Sequence, residues 1–137
     1  MSFIIEGDGG SRGNPGIAAS GTVVCAENGK ILAEIGRFLG ETTNNVAEYT
    51  SVIEGLKWTL NEDPEANVHF KMDSKLVVEQ LSGRWKIKDE KLRALAKEAT
   101  ELYRGRKVTF EWVPRERNKR ADAIANEAMD LLTSFSR

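Results

Sequence analysis

A chain of 137 residues with 40% apolar and 30% charged side chains has the size of one domain, able to bury on the order of 68–70% of its unfolded surface without staples. One cysteine, Cys25, and one histidine, His69, exclude an intrachain disulfide, argue against a thiolate metal site and remove most Ser–His–Asp and Cys–His mechanisms. A net charge of −1 excludes a global field that gathers nucleic acid, so binding of that kind must come from local basic patches.

No apolar run approaches the ~20 residues of a membrane span, and Met1-Ser2-Phe3-Ile4-Ile5-Glu6 lacks the basic region and long apolar core of a secretory signal. A cytoplasmic protein is expected, and a monomer by default. Residues 1–137 read as a single domain, complete or a segment of a longer protein.

The first strand is expected over residues 2–8. It runs into the glycine-rich stretch Asp8-Gly9-Gly10-Ser11-Arg12-Gly13-Asn14-Pro15-Gly16, expected as a turn that leaves Asp8 at the open end of the strand. Glycines there let backbone N–H groups approach a large anionic ligand, although an ordinary structural turn reads the same way. Strands two and three cover 19–27 and 30–40, joined at Glu27-Asn28-Gly29-Lys30, where Asn-Gly between β-rich runs signals a hairpin.

Thr42-Thr43-Asn44-Asn45 supplies cap-forming residues for a helix running to about Asn61, with the apolar stripe Val46, Tyr49, Ile53, Leu56 and Leu60. At 100° per residue Glu48 falls roughly 120° from the stripe centre, on the flank. Residues 67–73 alternate as strand four, with Asp73 at the carboxyl end and Ser74 placed to cap a helix over 75–81.

Gly83-Arg84-Trp85-Lys86-Ile87-Lys88 is a basic stretch with one aromatic. A helix with the stripe Leu92, Leu95, Ala99, Leu102 and Tyr103 follows, broken by Arg104-Gly105-Arg106. Strand five covers 107–113, and the charged loop 114–120 leads into a last helix burying Ala121, Ile124, Ala125, Ala128 and Leu132. On that helix Asp122 again lies roughly 120° from the stripe centre. The residues after Leu131 read as a fraying helix end and tail.

The order βββαβααβα describes an α/β fold with a five-stranded mixed sheet. Three strands are antiparallel, and helical crossovers join the parallel ones. Ligands of such sheets sit beyond the carboxyl ends of the parallel strands, where Asp8 and Asp73 are placed. Converging carboxylates repel unless a cation neutralises them, and oxygen-only ligands point to Mg²⁺ or Mn²⁺. Four ordinary surface acids among the 21 Asp and Glu residues is the competing reading.

Asp8 to Gly16, Thr42-Thr43-Asn44-Asn45-Val46-Ala47-Glu48, Met72-Asp73-Ser74 and Asn118-Lys119-Arg120-Ala121-Asp122 together resemble the type 1 ribonuclease H family, over nearly the whole chain and in the family's order. The resemblance implies a ribonuclease H-like fold with helices on both faces of the sheet. It also implies an endonuclease in which Asp8, Glu48, Asp73 and Asp122 hold two divalent ions, Mg²⁺ or Mn²⁺. The reaction would hydrolyse the RNA strand of an RNA–DNA hybrid, leaving 5′-phosphate and 3′-hydroxyl ends.

By the same resemblance Asp8 bridges both ions, Asp122 holds the one nearer the attacking water, and Glu48 and Asp73 hold the one nearer the leaving group. Asn14, Asn44 and Asn45, with backbone groups around Gly9 and Gly10, match positions that read the 2′-hydroxyl. For Asn44 and Asn45 a purely capping role is the alternative. Thr43 matches a residue that grips a DNA-strand phosphate, and Trp85 matches a wall of the DNA-strand groove. Lys86, Lys88, Arg115, Arg117, Lys119 and Arg120 could engage phosphates or form only a solvated surface.

Two departures stand out. Where many members carry a histidine before the last helix, this chain has Val113-Pro114-Arg115-Glu116-Arg117, leaving Arg115 as the nearest catalytic candidate; it cannot exchange protons at neutral pH. The connection after Trp85 also has no room for the long basic protrusion some relatives use to grip hybrid. A non-catalytic nucleic-acid-binding module of the same fold, and a nuclease that also cuts RNA–RNA duplexes, are the alternative functions.

Overall fold

The computed structural model describes all residues, Met1–Arg137. Its elements are β1 (Ser2–Gly13), β2 (Gly16–Ala26), β3 (Ile31–Thr42), α1 (Asn44–Glu62), β4 (Asn67–Met72), α2 (Lys75–Leu81), α3 (Glu90–Tyr103), β5 (Val108–Trp112), a 3₁₀ turn (Arg115–Arg117), α4 (Lys119–Leu131) and β6 (Phe135–Ser136). The sheet order is β5-β4-β1-β2-β3-β6. β1 pairs parallel to β4, and β4 to β5, while β1/β2, β2/β3 and β3/β6 are antiparallel.

Helices cover both faces. On one, Phe3, Ile5, Val24, Val68 and Phe70 pack against Tyr49, Val52 and Leu56 of α1, Val77 and Val78 of α2, and Leu92, Ala96 and Ala99 of α3. On the other, Ala121, Ile124, Ala128 and Met129 of α4 lie over Ala19, Val23 and Cys25 of β2. The starts of α1, α2 and α3 are each set by a local side chain: Thr43 accepts from the Val46 N–H (3.3 Å), Ser74 from Val77 (3.3 Å) and Asp89 from Leu92 (3.0 Å). These satisfy amide donors that a first turn leaves unpaired.

Several expectations are corrected. The stretch after Asp8 is not a turn: β1 continues to Gly13, with Gly9 opposite Ser20 and Gly13 opposite Gly16. Asp8 is still the first residue past the parallel pairing, since β4 stops at Met72 opposite Gly7. Leu60 is exposed (38%), standing with Asn61 and Glu62 at the solvent-facing end of α1, and Leu132 (58%) is the C-cap of α4 rather than a core residue. The loop 114–120 contains the 3₁₀ turn.

The sheet has six strands, not five, because the tail does not fray. Leu132 takes a left-handed conformation (φ 53°) that ends α4 and turns the chain back, and Phe135–Ser136 then pair with Gly36 and Ile35. The Phe135 ring lies against Gly36, with the Arg137 guanidinium 4.6 Å above it. Arg137 in turn pairs with Glu34 (3.1 Å) and Glu127 (2.7 Å). Phe135→Ala is therefore expected to cost about 1–2 kcal/mol for a half-buried ring, lowering Tm by roughly 3–8 °C in a thermal melt. An unchanged melt would show β6 to be decorative.

Candidate active site

Asp8, Glu48 and Asp73 each bring a carboxylate oxygen to one place, all within 4.8 Å of one another. They border a cavity of about 250 Å³ at the carboxyl end of β4, where its parallel pairing with β1 stops, together with Gly9, Gly10, Asn44, Arg115 and Asp122. Asp122, exposed in the first turn of α4, stands beside Asp8 at the rim. Asp8 and Glu48 are buried (7% and 8% exposed).

The start of α1 is pressed onto bare backbone. A Cβ on Gly9 would overlap the Ala47 carbonyl carbon and the Glu48 nitrogen. Only glycine permits this approach, and it sinks Glu48 between helix and strand although its helical angle is on the flank. Asp73 leaves the end of β4 just before the cap of α2, and its carbonyl accepts from the Trp112 indole N–H (3.2 Å).

Crowding shows in the protonation of the acids. Burial, then the charge of Asp73, pushes the Asp8 carboxyl up to about 8. Burial and the charges of Asp8 and Asp73 hold Glu48 well above the carboxylate range. Asp73 is raised chiefly by burial, with the Arg115 guanidinium, 3.9 Å away, opposing the shift. Glu48 Oε2 is buried without a hydrogen-bond partner. An orphaned oxygen in an oxygen-only cluster that is costly to ionise fits a hard divalent cation.

The remaining candidates divide. Asn14, Thr43, Asn44 and Asn45 line a second cavity of about 180 Å³, in which Asn44 is common to both. Asn14 Oδ1 accepts from the Asn44 N–H (3.1 Å), tying the β1–β2 hairpin to the start of α1. Thr43, not Asn44 or Asn45, caps α1. Trp85 borders neither cavity; it is 45% exposed in the segment between α2 and α3. His69 is remote from the acids' cavity in chemistry as well as place, bonded to Thr109 (2.7 Å) and Glu111 (2.8 Å).

Asn118 carries a role the sequence did not disclose. It precedes α4 as a cap would, yet its side chain makes no capping bond. It is fully buried, and its Nδ2 donates to the Gly7 carbonyl (2.8 Å), joining the backbone beside Asp8 to the helix of Asp122. The sequence signal was its place four residues before Asp122; its partner lies 111 residues away.

Fold and acidic mouth together define a ribonuclease H-like protein. The family model described as "Reverse transcriptase-like" matches residues 6–128, and LC11-RNase H1 in complex with RNA/DNA hybrid is similar in structure: TM-score 0.91, 38% identity, 96% of this chain and 99% of that one. The chain belongs to the type 1 ribonuclease H family. It is 51% identical over 133 residues to "Bifunctional protein Rv2228c" of Mycobacterium tuberculosis, covering 95% of this chain and 36% of that protein. It is 43% identical over 127 residues to "Ribonuclease HI" of Halobacterium salinarum, covering 90% and 62%. The chain thus spans about a third of the mycobacterial protein's length. No helix is long and apolar enough to cross a membrane.

Proposed function

We propose that this chain hydrolyses the RNA strand of RNA–DNA hybrids, with Asp8, Glu48, Asp73 and Asp122 holding two Mg²⁺ or Mn²⁺ ions. The observation that carries this reading is the convergence of three carboxylates within 4.8 Å, one oxygen of which has no protein partner. Bound ions of this class lower the pKa of an attacking water and stabilise a departing 3′ oxygen.

The chain's own residues do the rest. Asp8 and Glu48, fixed by the contact between Gly9 and α1, present their oxygens without rearrangement. Asn14, Asn44 and Asn45, with the backbone around Gly9 and Gly10, face the minor groove and select the 2′-hydroxyl. Thr43, at the rim of the second cavity, receives a phosphate of the DNA strand, and Trp85 flanks that strand.

Arg115, 89% exposed beside Asp73, offsets phosphate charge without exchanging protons. Arg115→Ala is expected to slow turnover roughly tenfold, as loss of one solvent-exposed charge near the reacting phosphate. The pH–rate profile should show no imidazole inflection near ~6.5 and should be unmoved by His69→Gln. Its rising limb should shift to lower pH as metal concentration is raised, because ions and protons compete for the same carboxylates. A profile that loses an inflection with His69→Gln would contradict this.

The test of the function is an end-labelled hybrid incubated with Mg²⁺ or Mn²⁺ beside RNA–RNA and DNA–DNA duplexes. RNA-strand cleavage of the hybrid, leaving 5′-phosphate ends, is expected. Binding without cleavage would make the chain a non-catalytic module, and equal cutting of RNA–RNA would remove the hybrid preference.

A further inference from the structure

Residues 82–89, between α2 and α3, form no helix or strand, yet side chains from both helices tie them down. The Arg84 guanidinium makes two bonds to the Glu79 carboxylate (2.8 and 2.9 Å), and Arg93 donates twice to the Ile87 carbonyl (3.1 and 3.3 Å). Between them, Gln80 Nε2 donates to the Lys86 carbonyl (3.3 Å). The other end of the same amide, Oε1, accepts from the Tyr49 hydroxyl (2.6 Å). Tyr49 is fully buried and directly follows Glu48 on α1.

The strap leaves chemistry on its outside. Trp85, Lys86 and Lys88 are exposed, and neither lysine takes part in any ion pair of the molecule. The segment starts from α2, the helix that follows Asp73, and ends at Asp89, which with Lys91 lines the cavity shared by Asn14, Asn44 and Asn45. Two free ammonium groups on the same short exposed segment as an aromatic ring suit a single nucleic-acid strand, which offers phosphates and stacking faces.

We infer that Gln80 is a positioning residue: by holding the Tyr49 hydroxyl and the Lys86 carbonyl at once, it pre-orders the 84–88 segment against α1 so that Trp85, Lys86 and Lys88 receive the DNA strand of the substrate. The inference rests on the hybrid-cleaving function proposed above. A loop already ordered by folding does not lose that freedom again on binding, so the strap acts on affinity rather than on the bond-breaking step.

The experiment pairs steady-state kinetics on a labelled hybrid with hydrogen exchange of the full chain. Gln80→Ala is expected to raise KM about three- to tenfold, the scale of re-ordering a few loop residues. It should leave kcat within about twofold and speed exchange at 84–88 without changing β1 or β4. Gln80→Glu keeps the acceptor for Tyr49 and loses the donor to Lys86, so it should reproduce both effects in a chain whose α1 contact is intact. Unchanged KM in a folded variant, or a fall in kcat at constant KM, would overturn the inference. So would unaltered exchange at 84–88. If the unaltered chain cleaves no hybrid, the proposed function fails, while the exchange measurement, which needs no substrate, still decides whether Gln80 orders the segment.

Discussion

Under the proposed function, Asp8→Asn is expected to lower the rate of hybrid cleavage about 10³-fold, because several kcal/mol of transition-state charge stabilisation would then depend on this carboxylate. The same change should make the metal-free protein more stable. In the fold the Asp8 carboxyl stands at about 8, whereas in an unfolded chain it titrates near ~3.9. Between those values the folded state keeps a proton that the unfolded state has released. Its stabilising effect is therefore full below pH ~4 and is lost as pH rises to about 8.

Asparagine carries no such proton, so the variant's melting temperature should fall less steeply over that window. Glu48 and Asp73, raised in the same direction, keep part of the slope. Mg²⁺ should raise Tm of the unaltered protein at pH 8 and do little for the variant, since only a binder of the native state stabilises it. Thermal melts across pH, with and without Mg²⁺, read all three effects. A variant less stable than the parent at pH 8 without metal would contradict the crowding described here.

Gly9→Ala should be nearly as damaging by a different route. Its Cβ would collide with backbone atoms of Ala47 and Glu48, which cannot swing aside as a side chain can. Overpacking of this kind costs about 1–3 kcal/mol or more. Relieving it moves the start of α1 away from β1 and carries Glu48 with it. A displacement of ~1 Å at a reacting centre can cost about 10²-fold in rate. Gly10→Ala is the matched comparison: there the nearest atom is the flexible Met129 methyl at 3.6 Å, so a stability change within about 0.5 kcal/mol is expected. Equal melting temperatures for the two variants would remove the packing explanation.

Much of the fold was legible because its signals are local. Asn28-Gly29 marked a hairpin that closes with Gly29 at φ 90°, and Ser74 and Asp73 marked a strand-to-helix junction. What could not be read was decided by distant partners. The glycines after Asp8 suggested a turn, but opposite β2 they extend a strand, since pairing supplies the hydrogen bonds that their flexibility would otherwise leave to solvent. Residues 132–137 carried no apolar period, and β6 forms only because Gly36 leaves room for Phe135 and because Glu34 and Glu127 meet Arg137.

The candidate site divides the same way. Four acids stood out by their places at strand ends and helix flanks, motif resemblance joined them into one site, and helical geometry placed Glu48 on a flank. A helical angle says nothing of depth, and depth came from the absent Gly9 side chain. Asn118 and Gln80 are polar residues of ordinary local pattern. Their meaning lies in a carbonyl beside Asp8 and a hydroxyl beside Glu48, contacts that no periodicity encodes.

The most direct measurement is anomalous diffraction from crystals of the chain grown with Mn²⁺ and an uncleavable hybrid. Two peaks roughly 3.5–4 Å apart, the spacing of paired-ion phosphoryl-transfer sites, and bound by oxygens of Asp8, Glu48, Asp73 and Asp122, are expected. Density for manganese only elsewhere on the surface, with the four carboxylates bonded to one another or to Arg115, would contradict a cation site at the mouth of this sheet.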